Sequence, residues 1–172
     1  KAGIEAGSGS VMTSFNDING IPATANRWLL TDVLREQWGF KGFVVSDYTA
    51  TTEMVAHGMG DEAKVAELAI NAGVDMEMVG ESFYNNAQQL LKEGRITEET
   101  INAATRRILE AKYRLGLFED PFRYIISAEE RTQRMFTKEN KAVALEAAQK
   151  SFVLLKNDSQ VLPLSEKQRI LY

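Results

Sequence analysis

The chain has 172 residues, 44% of them hydrophobic and 26% charged, with a formal net charge of −4. The acidic balance leaves no basic footprint for nucleic acid or anionic lipid, and no apolar stretch is long enough to span a membrane. It has no Cys and a single histidine, His57, which removes disulfides, thiolate metal sites and multi-histidine metal sites.

The first residue is Lys1 and no signal peptide is visible, so the sequence reads as a processed or excised piece. Residues 10–15 read as a strand. Asn19-Gly20-Ile21-Pro22 is loop chemistry. Asn26 is a good N-cap for a helix over 27–38, with Leu29, Leu30, Val33, Leu34 and Trp38 on one face. Gly39 ends it. The apolar run 42–47 then reads as a strand buried on both faces, closing on Asp47. A second helix is expected over 62–71, with Asp61 as its cap and Gly73 at the C-terminal position that favours glycine.

A third strand is expected over 74–79, followed by helical stretches over 83–93 and 98–115, the second capped by Thr97. Strand and helix alternate three times, which implies parallel strands joined by crossovers. Three such units cannot close a barrel, so the chain is expected to be part of something larger. Residues 119–136 hold Pro121, many charges and little periodicity, and read as a linker. Thr137 then caps a helix that leads into an expected strand at 152–155, an extended stretch at 161–164 and the start of a further strand at 169–172.

The carboxylates have a parity. Side chains alternate faces along a strand. If Val74, Met76 and Met78 pack on the helices, Asp75 and Glu77 point into a barrel interior, near Asp47 at the C-terminal mouth where barrel active sites sit. The alternative for Asp75 and Glu77 is pairing with Arg or Lys from strands outside this sequence, since buried acids are usually paired. On spacing alone Asp47 is equally a loop cap or a catalyst.

The stretches "SVMTSFNDINGIPATAN", "LLTDVLREQWGFKGFVVSDY", "AGVDMEM", "RRILEAKYRLGLFEDPF" and "AAQKSFVLLKNDSQVLPL" together resemble glycoside hydrolase family 3, the β-glucosidase and β-xylosidase family. The resemblance implies the C-terminal portion of a (β/α)8 TIM-like barrel over 1–118, an inter-domain linker over 119–136, and the beginning of a second α/β sandwich domain over 137–172. It implies that Asp47 is the nucleophile of a retaining exo-acting β-glycosidase, forming a covalent glycosyl-enzyme. Such chemistry needs a second carboxyl as acid and then base, which in this family comes from the second domain beyond Tyr172. The family's sugar-binding Asp, Arg and Lys-His residues lie before Lys1.

Tyr48 falls where relatives carry an aromatic that stacks on sugar. Phe15 falls where many have Tyr, so one polar contact near the nucleophile is lost there. His57 lies in a loop step, where such residues are mostly structural. The implied substrate is a β-linked oligosaccharide or an aryl or alkyl β-glycoside ending in glucose or xylose. No cofactor or metal is expected, because two carboxylates and water suffice. The expected partner is the rest of the parent chain, and the family setting implies a periplasmic or secreted protein. Two rivals stand beside this reading. One is a non-catalytic barrel remnant or interface segment. The other is an unrelated βα-barrel such as an aldolase, which would want a strand-end Lys or a Gly-rich phosphate loop.

Overall fold

A computed structural model describes residues 1–165. The expected strand at 169–172 lies outside the described residues. The chain divides into two units, Lys1–Arg123 and a second from Tyr124 onward, and each is taken by itself.

The first unit is built on a parallel three-stranded sheet in the order β1-β4-β5, with β1 at Ser10–Met12, β4 at Phe43–Tyr48 and β5 at Met76–Met78. β4 is central because its apolar run tolerates burial on one face and pairing on both edges. It starts at a crowded point. A Cβ on Gly42 would lie 2.1 Å from the Gly9 carbonyl oxygen, so only glycine lets the two strands begin side by side.

β1 leads into a small antiparallel hairpin, β2 (Asp17–Ile18) and β3 (Ile21–Pro22). Its turn is Asn19-Gly20, both at positive φ (55° and 76°), which is the pairing that two-residue hairpins select. The stretch expected as plain loop is therefore a hairpin, and β1 is shorter than expected because the chain leaves the sheet after Met12 to form it.

The helix expected over 27–38 spans Trp28–Gln37 and is wound wide, as a π-helix; at its C-terminus the Trp38 N–H donates to the Val33 carbonyl at 3.0 Å. Asn26 does act as a cap: its Oδ1 accepts from the Leu29 N–H at 3.0 Å. Leu30, Val33 and Leu34 are buried as expected, whereas Trp38, at the last turn, is exposed.

α1 (Ala2–Glu5) precedes the sheet in the chain, and after β4 come α2 (Ala50–Ala56) and α3 (Glu62–Ala72). Asp61 Oδ1 accepts from the Lys64 N–H at 2.8 Å and starts α3; Gly73, at φ 106°, ends it. After β5 follow α4 (Ser82–Lys92) and α5 (Glu98–Arg114), the latter capped by Thr97. α3 packs against both α2 and α4.

The π-helix, α2 and α3 cover one face of the sheet. Val44 is fully buried there with Leu30, Leu34, Phe40, Met54, Val65 and Val74, and each such side chain stabilises by about 1.5–3 kcal/mol. A second cluster joins Ala66, Ile70, Leu90 and Ile96 between α3, α4 and the turn before α5. Among the described residues, the other face is bare around one row. Met12, Val45 and Met76 are register partners across the three strands, and Met12 and Met76 are 52% and 43% exposed.

The second unit holds α6 (Ala128–Arg134) and α7 (Lys138–Ser151). Thr137 caps α7 as expected, its Oγ1 accepting from the Asn140 N–H at 3.2 Å. α6 lies inside the stretch expected as linker. Its start is a capping-box sequence, Ser127 followed three residues later by Glu130, and Ser127 Oγ accepts from the Glu130 N–H at 3.1 Å. The expected strand at 152–155 is not formed: those residues are exposed and have no pairing strand among the described residues. Strand propensity without a partner edge does not make a strand.

Candidate active site

Asp47 ends the central strand, and the strand is not regular where it does so. Val45 is in register with Met76 and Tyr48 with Met78, so β4 advances three residues while β5 advances two. Ser46 and Asp47 thus oppose Glu77 alone. This is a β-bulge, a device common at sheet ends and beside active sites because it re-aims a side chain. Strict alternation from Val45 would turn Tyr48 toward the helices. The extra residue instead sets Tyr48 opposite Met78, on the bare face, where it is 58% exposed.

The bulge is closed by specific bonds. Ser46, buried, accepts from the Met78 N–H at 2.8 Å and donates to the Asp47 carbonyl at 2.9 Å. The Thr49 N–H donates to the Met78 carbonyl at 3.0 Å. Both backbone groups of Met78 are therefore satisfied across an irregular step. Among the described residues the Asp47 carboxylate makes one hydrogen bond, Oδ1 accepting from the Tyr48 N–H at 2.7 Å. The carboxylate is half-buried at the strand tip.

Two residues beside it are strained. Thr49 sits at φ 57° and Val79 at φ 62°. Both are β-branched, for which positive φ is a genuine outlier, and such strain gathers at functional sites. Phe15 lies in the loop that leaves the C-terminal end of β1, the neighbour of β4, with its ring 40% exposed. It shares the end of the sheet with Asp47 and Tyr48. His57 is exposed and directly follows the last turn of α2, at the opposite end of that helix from the strand tip.

The other two acids are not where parity put them. Asp75 sits before β5, at the opposite end of the sheet from Asp47. Its Oδ2 accepts from the Val44 N–H at 2.8 Å while its own N–H donates to the Val44 carbonyl at 2.8 Å. Lying in the plane of the sheet, it interrupts the alternation, so parity counted from Val74 fails. Asp75 is instead ion-paired to Arg35 and Arg107, each at 2.6 Å; it is paired, but its partners come from helices of this chain and not from strands outside it.

Glu77 turns toward the helices, where Met76 had been expected. Its Oε2 accepts from the Phe83 N–H at 2.7 Å, at the start of α4. Burial pushes its carboxyl above the usual range; the Phe83 N–H and the nearby Thr51 and Ser82 hydroxyls offset that only in part, and the charge of Glu62 adds to the rise. Oε1 and Thr51 Oγ1 reach no hydrogen-bond geometry. The bulge was invisible to sequence reading, since its only signature is a register between strands 31 residues apart.

No group of three or more His, Cys, Asp or Glu residues that could hold a metal ion occurs among the described residues. No helix among them is long and apolar enough to cross a membrane.

Residues 1–111 match the model of the glycosyl hydrolase family 3 N-terminal domain. Over 99% of its length the chain is 42% identical to a periplasmic β-glucosidase of Salmonella typhimurium, of which it covers 23%. It is 39% identical to a β-xylosidase of Formosa agariphila, over 93% of this chain and 23% of that one. Its fold is similar to the crystal structure of a β-glucosidase from Listeria innocua in complex with glucose, with a TM-score of 0.81 and 41% identity, over 95% of this chain and 22% of that one. A mutant of the Listeria enzyme in complex with laminaribiose is as similar, with a TM-score of 0.81. The chain spans less than a quarter of the length of these relatives.

Proposed function

The chain belongs to glycosyl hydrolase family 3, and from that premise we propose that it carries the nucleophile of a retaining, exo-acting β-glycosidase that removes terminal β-linked glucose or xylose. Asp47 is the nucleophile. Its carboxylate oxygen attacks the anomeric carbon, the bond to the leaving-group oxygen breaks, and a second carboxyl protonates that oxygen. Water then attacks the glycosyl-enzyme, giving its proton back to the same carboxyl and freeing Asp47. Tyr48 and Phe15 are substrate contacts, Tyr48 by stacking its exposed ring on the sugar.

The observation that carries this reading is the bulge: a carboxylate at the tip of the central strand, set beside an exposed Tyr at the edge of a bare sheet face. In a (β/α)8 barrel that face is the interior and that tip is the mouth, where catalytic residues sit. On this proposal residues 1–118 are the last βα units of the barrel, 119–136 the connection, and 137–172 the beginning of a second α/β domain, which supplies the acid/base outside this chain. Aryl and alkyl β-glycosides and β-linked oligosaccharides are the substrates, as the laminaribiose complex of the Listeria relative suggests. A periplasmic or secreted setting is supported by the name of the Salmonella relative.

The test is trapping. The intact enzyme is incubated with a 2-deoxy-2-fluoro glucoside or xyloside bearing a good leaving group, digested, and its peptides weighed. A sugar on the peptide holding Asp47 is the expected result. A label on another carboxylate would move the site. No label and no turnover would favour the non-catalytic barrel remnant.

A further inference from the structure

The bulge places one hydroxyl where a regular sheet would place a carbonyl. In a regular ladder the Met78 N–H would donate to the backbone of β4. Here the register slips by one residue, and Ser46 Oγ takes that bond at 2.8 Å. The same hydroxyl spends its own proton on the Asp47 carbonyl at 2.9 Å. Ser46 is 1% exposed, so neither bond has a ready replacement from water.

We propose that Ser46 is a positioning residue: its hydroxyl holds the bulge that sets the Asp47 carboxylate at the strand tip. The inference rests on the reading of Asp47 as the nucleophile. An in-line attack tolerates little error, and a displacement of about 1 Å can cost about 10²-fold in rate. Without the hydroxyl, the Met78 N–H can be satisfied only if β4 slips back toward regular pairing. That slip would rotate Asp47 and turn Tyr48 toward the helices. Thr49, strained at φ 57° and bonded to the Met78 carbonyl, would have to move with them. The substrate need not bind worse for this to happen, so the loss should fall on the chemical step.

The experiment compares Ser46→Thr with Ser46→Val in the intact enzyme. The two are isosteric, both suit a strand, and they differ only in the hydroxyl. Each is reacted with a 2-deoxy-2-fluoro glucoside carrying a dinitrophenyl leaving group, and the maximal labelling rate and the half-saturating concentration are measured. The Thr enzyme should label within about threefold of wild type, and the Val enzyme about 10²-fold more slowly at an unchanged half-saturating concentration. If the Val enzyme does not fold, Ser46→Ala removes the hydroxyl without adding volume and takes its place. Equal rates for Thr and Val would overturn the proposal, and so would a loss confined to half-saturation. A wild-type label on a residue other than Asp47 would overturn the nucleophile reading and this inference with it. A wild-type label on Asp47 with no hydroxyl effect would overturn this inference alone.

Discussion

Arg35 and Asp75 meet at 2.6 Å with their side chains 11% and 1% exposed, 40 residues apart in sequence. The pair ties the π-helix to the start of β5, and Arg35 also donates to the carbonyls of Gly42 and Gly73. Arg107 brings α5 to the same carboxylate. One buried acid therefore fastens a helix, two strand starts and a second helix. Burial lowers the Arg35 pKa from its ordinary value, and the charge of Asp75 works against that.

Asp75→Ala should therefore destabilise by about 3–5 kcal/mol, because it strands a buried Arg35 and leaves the Val44 N–H without an acceptor. Arg107→Ala should cost much less, since that side chain is 29% exposed and water can replace it. Denaturant melts of the intact enzyme check both. Equal losses at the two positions would refute the keystone role of Asp75.

Tyr48 offers a ring rather than a hydroxyl. It is exposed, and the bulge presents it on the bare face of the sheet. Tyr48→Ala should raise KM about tenfold, the equivalent of ~1.4 kcal/mol, while Tyr48→Phe stays within about twofold. Steady-state kinetics on an aryl β-glucoside decide it. A Phe variant as poor as the Ala variant would mean that the hydroxyl, not the stack, carries the contact.

Much of this architecture is legible from local sequence, and the exceptions have one cause. Asp61, Thr97 and Thr137 cap their helices because a cap is a bond to a backbone N–H three residues on, and nothing distant is needed. The Asn19-Gly20 turn and the Ser127 capping box were equally local signals, which a reading by apolar periodicity passes over because both elements are short and polar. What the sequence does not show is what depends on another strand. Asp75 breaks the parity of β5 by bonding in-plane to Val44, and the bulge at Ser46-Asp47 exists only relative to β5. Asp47 itself stands out as the carboxylate closing an apolar run, whereas Ser46 beside it carries no sequence signal of its role.

The bare sheet face and the two outer edges bear on how the chain behaves alone. Among the described residues β1 and β5 each pair on one side only, and Met12, Val45 and Met76 form an uncovered apolar row between them. Open edges beside an apolar face invite association. The chain produced by itself should therefore elute as associated species and lack a cooperative melt, in contrast to the intact enzyme. Size-exclusion chromatography with thermal unfolding tests this. A monomer with a sharp transition would show that the unit is self-sufficient.

Glu77 gives a pH dependence with a definite sign. Burial raises its folded-state pKa above the ordinary glutamate value of about 4.3. Between that value and the raised one, the folded chain holds a proton that the unfolded chain has released. Stability is then greatest below the ordinary value and falls as pH rises through the folded pKa. Above it, a charged carboxylate stays buried with only the Phe83 N–H as a full partner, near the charge of Glu62. Glu77→Gln mimics the protonated form. Its carbonyl accepts the Phe83 N–H, and its amide can donate toward Thr51 Oγ1, which has no partner now. The Gln variant should match wild type in denaturant midpoint below pH ~4 and exceed it by a growing margin as pH rises, until Glu77 is fully ionised. Midpoints of both proteins across that range decide the matter, because groups elsewhere titrate alike in the two and cancel in the difference. A margin that is flat, or that shrinks as pH rises, would mean that Glu77 is held as a stabilised carboxylate rather than as a buried acid.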